Sequence, residues 1–284
     1  MAAGTLYVVA TPIGNLGDMT FRAVEVLSSV DCVAAEDTRH TLKLLTHFKI
    51  RKPLVSYHSH NLEESGAVIA ARLQGGQDVA LVTDAGTPGI SDPGARLIQQ
   101  VLEREIDVCV VPGPTASVAA LVVSGLPTQP FAFLGFPPPR GSSRRRFFTL
   151  AAPLDMTLVL YESARRLPRT LSDIEASWGN RRIAVARELT KLHEEVFRGT
   201  VSEARHRFGE EVKGEVTLVV AGADARPSCA TAEEEVWKLE LEKLLAQGST
   251  STRDAVDQVA ARFGAPRKQV YQEALRLAQI HRAD

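Results

Sequence analysis

The stretch Val79-Ala-Leu-Val-Thr-Asp-Ala-Gly-Thr-Pro-Gly-Ile-Ser-Asp-Pro-Gly94 decides the fold, because an apolar, β-branched run ends abruptly in a loop with three Gly and two Pro. This pattern predicts a buried strand that leads into a rigid loop. In parallel α/β sheets, ligands bind just beyond the carboxyl ends of the strands. Asp84 is the first charged side chain past this end. The sequence therefore predicts a ligand site beside Asp84.

Two other turns repeat the pattern of strand, Gly/Pro loop and helix start. One is Val9-Ala-Thr-Pro-Ile-Gly-Asn-Leu-Gly-Asp18, and the other is Val108-Cys-Val-Val-Pro-Gly-Pro-Thr-Ala-Ser117, where Thr115 or Ser117 can cap a helix. The first turn lacks both Gly-x-Gly-x-x-Gly and Gly-Lys-Ser/Thr, so dinucleotide and P-loop sites have little support. A turn without a ligand is the ordinary explanation for one such loop. Three in one half of the chain favour a shared site for a small molecule.

Strand-like runs alternate with helical stretches over most of the chain. This alternation predicts an α/β fold of two domains, at 1–113 and 114–226, with mostly parallel sheets and helices on both faces. The cleft between the two domains is the default ligand site. The predicted strands are Thr5–Ala10, Asp31–Ala35, Pro53–Tyr57, Asp78–Thr83, Asp107–Val111, Phe131–Gly135, Thr157–Tyr161, Arg182–Arg187, Glu195–Arg198 and Val216–Ala221.

The C-terminal part is predicted to be all-helical, as a small helix-turn-helix-like domain at 231–284. Val256, Val259, Ala260 and Phe263 share one helical face, and Gly264 predicts the end of that helix. A helical cap that only packs is the alternative. The net charge of +2 over residues 236–284 argues against a DNA-binding regulator.

Composition narrows the class of protein further. The chain has 284 residues, 44% hydrophobic and 24% charged, which is typical of a globular protein of roughly two domains. Apolar runs fall short of the roughly 18 residues of a membrane span, and no basic leader precedes the first strand, so we expect a cytoplasmic protein without a membrane segment. Cys32, Cys109 and Cys229 are expected to be reduced, and no metal site is predicted from the Cys and His spacing.

Charge is distributed unevenly along the chain. Residues 1–139 contain 9 Lys or Arg and 13 Asp or Glu, whereas residues 140–207 contain 14 and 8. The most basic stretch is Pro137-Pro-Pro-Arg-Gly-Ser-Ser-Arg-Arg-Arg146. A solvated linker is one interpretation. The other is a flexible Gly/Ser loop whose Arg side chains bind a polyanion such as RNA.

Polar residues also follow other strands of the predicted sheets. Glu36, Asp37 and Arg39 follow the second strand, where they could simply begin a capped helix. Arg187, Glu188 and Lys191 follow a strand of the second domain, where they could form only a surface ion-pair group. Their positions at strand ends facing the cleft favour a functional role for both groups.

Six segments taken together identify a resemblance. They are Thr5–Ala23, Glu36-Asp-Thr-Arg39, Asp84–Gly94, Pro112-Gly-Pro-Thr-Ala116, Tyr161-Glu-Ser163 and Arg187-Glu-Leu-Thr-Lys191. They resemble a family of bacterial methyltransferases, within the tetrapyrrole methylase superfamily, that 2′-O-methylate a cytidine in the decoding region of 16S rRNA. The resemblance covers essentially residues 4–222, and the helical tail is similar to a small domain that many members carry.

The resemblance implies S-adenosylmethionine as the cofactor, bound in the cleft largely by backbone groups. It also implies 16S rRNA in the small ribosomal subunit as the partner, and a homodimer. By the same resemblance the cofactor contacts are Ile13, Asp84, Thr87, Thr115, Ala116, Glu162, Glu188 and Thr217. Candidate RNA contacts are Arg39, Arg144, Arg145, Arg146 and Arg187.

Methylation of a ribose hydroxyl is helped by a base, or by a cation that stabilises the developing alkoxide. The candidate bases are Asp37, Glu36 and a deprotonated Lys191, and the sequence does not choose among them. Two other functions stay open. One is a methyltransferase of the same fold acting on a small tetrapyrrole, and the other is a ribosome-binding factor without turnover.

Overall fold

The structure is a computed structural model that describes residues 2–209, 213–223, 229–246, 251–265 and 267–280. The chain divides into two compact units, Met1–Ala223 and Asp224–Asp284. The first unit contains both sheets, and the second is helical. The predicted α/β class with a C-terminal helical domain is confirmed.

The first sheet is entirely parallel, with strand order β3-β2-β4-β1-β5. Its central strands carry continuous apolar side chains because helices cover both faces of the sheet. Its strands are β1 Leu6–Val9, β2 Cys32–Ala35, β3 Leu54–Ser56, β4 Val79–Val82 and β5 Val108–Val111. Its helices are α1 Phe21–Ser29, α2 Thr38–His47, α3 Leu62–Gln74 and α4 Gly94–Leu102, with a short 3-10 helix at Leu16–Asp18.

The second sheet has the order β6-β7-β10-β8-β9. Its strands are β6 Phe131–Phe133, β7 Thr157–Ser163, β8 Arg182–Arg187, β9 Glu195–Thr200 and β10 Glu215–Val220. The associated helices are α5 Ala116–Val123, α6 Gly141–Ala151, α7 Leu167–Trp178 and α8 Val201–Arg207, with a 3-10 helix at Ala164–Arg166.

The direction of the strands in the second sheet differs from the prediction. Only β6 and β7 are parallel, and the other three strand pairs are antiparallel. Residues 188–194 join β8 to β9, and this connection is too short for the crossover that parallel neighbours need. Helix α5 packs on this second sheet, where Ala120 and Leu121 contact Val159 and Val219. The boundary at residue 113 stays a prediction.

The helical unit consists of α9 Cys229–Ala246, α10 Thr252–Phe263 and α11 Arg267–Ile280. Trp237 and Leu241 of α9 pack with Val256 and Val259 of α10 in one small core. Gly264 ends α10 in the left-handed conformation, as predicted. Within the described part of the chain, no helix is long and apolar enough to cross a membrane.

Candidate functional site

Three loops meet at the carboxyl edge of the first sheet, after β1, β4 and β5. The backbones of Thr11 and Gly86 exchange hydrogen bonds of 2.9 and 3.1 Å, which join the first two loops. Thr87 Oγ1 donates to the carbonyl oxygen of Pro114 in the third loop at 3.4 Å. A Cβ on Gly113 would lie 2.9 Å from the Cβ of Ala10, so the loops after β1 and β5 approach too closely for a larger residue.

A cavity of about 470 Å³ lies between these loops and the second sheet, and we call it the first cavity. Its volume is in the range of small-molecule sites. Seven of the eight residues expected to contact a cofactor line it: Ile13, Asp84, Thr87, Thr115, Ala116, Glu162 and Thr217. The structure therefore brings together residues that lie far apart in the sequence, as the cleft hypothesis requires.

The second-sheet wall of the first cavity is held in place by hydrogen bonds. The Tyr161 hydroxyl accepts from the Ser117 backbone N–H at 3.1 Å, which ties β7 to the start of α5. The Glu162 side chain is fully buried and pairs with Arg166, its Oε1 lying 2.7 Å from Nε. Its Oε2 accepts from the hydroxyl of Thr170 at 2.6 Å. A buried carboxylate with these partners has a fixed orientation.

Charge in the first cavity is one-sided. Five carboxylates line it, and no Lys, Arg or His is among the described residues of its wall; the five are Glu36, Asp84, Asp92, Glu162 and Glu215. Burial, followed by the nearby carboxylate of Glu36, raises the pKa of Asp84. Such a wall attracts a cationic ligand, which would relieve the repulsion among the carboxylates.

A second cavity of about 420 Å³ adjoins the first. The two share four wall residues, which are Ile13, Asp84, Ala85 and Glu215. The remainder of the second cavity includes three basic side chains, His40, Lys43 and Lys191. The site thus consists of two adjacent compartments, of which the second has basic as well as acidic side chains in its wall.

Of the candidate bases, Asp37 lies away from the site and Glu36 lies in it. The side chain of Asp37 lies outside both cavities and caps α2, accepting from the Arg39 N–H at 2.8 Å. That hydrogen bond, together with the Arg39 guanidinium, lowers the pKa of Asp37, so this carboxylate is a weak base. Glu36 does line the first cavity, where its Oε2 accepts from the Thr83 hydroxyl at 2.7 Å.

Lys191 is held as an ammonium ion. Its Nζ lies 2.9 Å from both Glu188 Oε1 and Glu215 Oε2. Burial opposes the charge, but the two hydrogen bonds outweigh this effect and raise the pKa of Lys191. These ion pairs disfavour a deprotonated Lys191, and its catalytic role stays a prediction. Glu188, expected at the cofactor, lies outside the first cavity because it pairs with Lys191 instead.

The basic stretch also differs from the predicted flexible loop, because residues 141–151 form α6. Arg144 is buried, and its guanidinium donates to Asp173, Thr170 and the carbonyl oxygen of Pro138 at 2.6–2.9 Å. It is not available to RNA. Arg145 and Arg146 are exposed.

The remaining two Arg residues of the predicted RNA contacts also differ from each other. Arg187 Nε and Nη2 donate to Glu195 Oε2 at 3.1 and 3.0 Å, so this guanidinium is engaged inside the protein. Arg39 is exposed beside Asp37. Together with Arg145 and Arg146, it stays a predicted RNA contact.

Sequence reasoning missed several residues of the two cavities, including Phe136, Asp92, Glu215, His40 and Lys43. A signal existed for two of them. His40, Lys43 and Leu44 have the spacing of one helical face directly after the Glu36–Arg39 segment. Glu215 carried no comparable signal, because strand pairing alone brings it beside Glu188 and Lys191.

Within the described ranges, no three His, Cys, Asp or Glu side chains are grouped to hold a metal ion.

Comparison with known sequences supports a methyltransferase family. Residues 5–205 match the family described as Tetrapyrrole (Corrin/Porphyrin) Methylases, and residues 239–278 match the RsmI C-terminal HTH domain. A Synechocystis protein called ribosomal RNA small subunit methyltransferase I is 49% identical over 96% of this chain and 98% of its own length. A Bacillus subtilis protein of the same name is 42% identical over 94% of this chain and 93% of its own.

Solved structures show the same fold. Uroporphyrin-III-C-methyltransferase from Thermus thermophilus superposes with a TM-score of 0.57 over 77% of this chain and 94% of its own, at 23% identity. A diphthine synthase superposes with a TM-score of 0.59 over 76% of this chain and 89% of its own, at 14% identity. At these identities the likeness concerns the fold alone.

Proposed function

The chain belongs to the ribosomal RNA small subunit methyltransferase I family of the tetrapyrrole methylases, and on that premise we propose that it methylates the ribose 2′-oxygen of a cytidine in 16S rRNA. As a member of that family it is an S-adenosylmethionine-dependent rRNA methyltransferase. The cytidine and its 2′-oxygen are the finer part of the proposal, and they rest on the six resembling segments.

The observation that carries the proposal is the acidic wall of the first cavity. S-adenosylmethionine has a sulfonium and an ammonium group, and a wall with five carboxylates and no Lys, Arg or His among its described residues suits both. Thr115 and Ala116 are small residues at the start of α5, so a ligand can approach the backbone there. We propose that Ile13, Asp84, Thr87, Thr115, Ala116, Glu162 and Thr217 hold the cofactor. Glu188 is left out because it pairs with Lys191.

Bound S-adenosylmethionine supplies an activated methyl group, and the protein supplies alignment and proton transfer. The 2′-oxygen forms a bond to the methyl carbon while the sulfur–carbon bond breaks, and the hydroxyl proton must leave. We propose that Asp84 accepts it, because this carboxylate lies on the wall shared by the two cavities and its pKa is raised by burial. The Lys191 ammonium, also in the second cavity, stabilises the oxygen as it loses the proton.

The two other functions have less support. The solved uroporphyrin-III-C-methyltransferase is 23% identical to this chain, whereas the Synechocystis relative named for rRNA methylation is 49% identical over nearly the full length. A ribosome-binding factor that keeps the cofactor fold without turnover would retain the same cavity, so methyl release distinguishes it from the enzyme. Methyl transfer to small ribosomal subunits distinguishes both from the proposed reaction.

We propose further that the chain acts in the cytoplasm, on the small ribosomal subunit, as a homodimer. Support for the dimer comes from exposed apolar residues near one another in the sequence, among them Val110 of β5, Val122 of α5 and Phe131 of β6. Val118 lies one helical turn before Val122 and is also exposed, so α5 has an unpartnered apolar face. Light scattering of the purified protein tests this part, and a monomer at micromolar concentration would contradict it.

The experiment that tests the reaction is transfer of labelled methyl to small ribosomal subunits from cells that lack this gene. Nucleoside analysis of the 16S rRNA should recover the label as 2′-O-methylcytidine. Label on another nucleoside would support methyltransferase activity and contradict cytidine as the acceptor. Intact cofactor binding without any label on RNA would favour a small-molecule acceptor or the binding factor.

A further inference from the structure

The second cavity is not accounted for by the proposed cofactor residues, of which only Ile13 and Asp84 line it. It adjoins the first cavity through a shared wall and differs from it in charge. A transfer reaction needs two bound molecules whose reacting atoms meet. We propose that the second cavity holds the acceptor nucleotide of a single-stranded RNA segment, with its phosphate at Lys43 and its sugar at the shared wall. This inference rests on the proposed function.

The size and boundaries of the second cavity suit one nucleotide. Its volume is about 420 Å³, and the loop after β1 forms one side. Leu16 of that loop is 41% exposed, which offers an apolar surface to a base. A Cβ on Gly14 would lie 2.5 Å from Lys191 Cγ and 2.9 Å from Thr190 Oγ1. The loop after β8 therefore packs tightly against Gly14, while residues of α2 line another part of the cavity wall.

Lys43 is the cation best placed for an RNA phosphate. It is exposed on α2, and none of the described carboxylates forms an ion pair with it. His40 lies one turn earlier on the same face of α2, near Asp84. Lys191 differs from both, because its ammonium already binds Glu188 and Glu215. An unpaired Lys attracts a phosphate without first breaking an internal ion pair.

The orientation of the bound nucleotide follows from this arrangement. The shared wall, which contains Asp84, is the place where an acceptor atom in the second cavity comes closest to a donor in the first. Lys43 belongs to the second cavity alone. A nucleotide bound with its phosphate at Lys43 therefore presents its sugar toward the cofactor, and a double-stranded segment would not enter a cavity of this volume.

The experiment compares Lys43→Gln with Lys49→Gln, a matched control on an exposed Lys just after α2 that lines neither cavity. RNA binding is measured over a series of salt concentrations with small subunits, and S-adenosylmethionine affinity is measured by calorimetry. We expect Lys43→Gln to raise the KM for RNA and to reduce the salt slope by about 0.7–1, the value for one phosphate contact. Cofactor affinity should not change, and Lys43→Arg should restore the slope.

Two results would overturn the inference. One is an unchanged slope in Lys43→Gln, and the other is an equal loss of cofactor affinity, which would assign the second cavity to the cofactor. Failure of the proposed function gives a different result, because the wild-type protein would then transfer no methyl to RNA. Lys49→Gln should behave as wild type throughout.

Discussion

The hydroxyl of Thr170 donates a 2.6 Å hydrogen bond to Oε2 of Glu162, and this contact links the first cavity to α6. The same hydroxyl accepts from Arg144 Nη2 at 2.8 Å, and Arg144 also donates to Asp173. Thr170 and the side chain of Glu162 are both fully buried. Arg144 on α6 is therefore linked through the Thr170 hydroxyl to Glu162 in the wall of the first cavity.

Replacing Thr170 by Val should break this link with little change in volume. Oε2 of Glu162 and one N–H of Arg144 would then lack their partner, and each unsatisfied buried group costs about 1–3 kcal/mol. We expect a loss of that order in the free energy of unfolding by urea, and weaker binding of S-adenosylmethionine in calorimetry. Thr170→Ser keeps the hydroxyl and serves as the control. Equal cofactor affinity in Thr170→Val and wild type would contradict the link.

The three Arg residues of α6 should respond differently to replacement by Ala. Arg144→Ala removes the guanidinium that binds Asp173, Thr170 and the Pro138 carbonyl oxygen, and it should lower the free energy of unfolding by about 2–3 kcal/mol, since Asp173 is partly exposed. The double variant Arg145→Ala/Arg146→Ala should keep stability within about 0.5 kcal/mol and flatten the salt dependence of RNA binding. Loss of stability in the double variant, or an unchanged salt dependence, would contradict this division.

Much of the fold could be predicted from local pattern. Each of the ten predicted strands corresponds to an observed strand, because apolar β-branched runs between Gly/Pro turns have few alternatives. The direction of β8–β10 could not be predicted, since it depends on which strands become neighbours. The basic stretch was predicted to be a loop because it contains Pro and Gly. It instead forms much of α6, whose Phe147 and Phe148 pack in the hydrophobic core beside the second sheet.

The positions of cavity residues were predicted better than their chemistry. Asp84 and Thr217 were expected at one ligand and do line one cavity. The charge state of Lys191 depends on Glu215, which lies in another strand, and the burial of Arg144 depends on Asp173 in α7. A pattern along the chain contains no information on such partners, because they are set by tertiary contacts.

Variants of Lys191 test whether this residue acts as a cation or as a base. Lys191→Arg keeps a positive charge and should retain most of the methyl transfer, whereas Lys191→Met should lower kcat by about tenfold. This loss is smaller than at a fully buried site because the Lys191 side chain is 29% exposed. Since its pKa is raised, Lys191 stays charged through neutrality and up to a higher pH than an ordinary Lys, so removing it should not move the pH profile of kcat near neutrality. Disappearance of a neutral inflection in Lys191→Met would restore the base hypothesis.

Asp84 should show opposite effects on stability and turnover. A carboxyl group whose pKa is raised in the folded protein destabilises it as the pH rises through that pKa. Without ligand, Asp84→Asn should therefore have a higher Tm than wild type at pH 8, and the difference should shrink as the pH falls and wild-type Asp84 becomes protonated. Methyl transfer should drop by about 10²-fold or more if Asp84 accepts the proton. The control is Asp37→Asn, which should not raise Tm, because the Arg39 N–H and guanidinium lower the pKa of this carboxylate instead of raising it. A Tm of Asp84→Asn below wild type at pH 8 would contradict the repulsion within the first cavity, and unchanged turnover would remove Asp84 as the base.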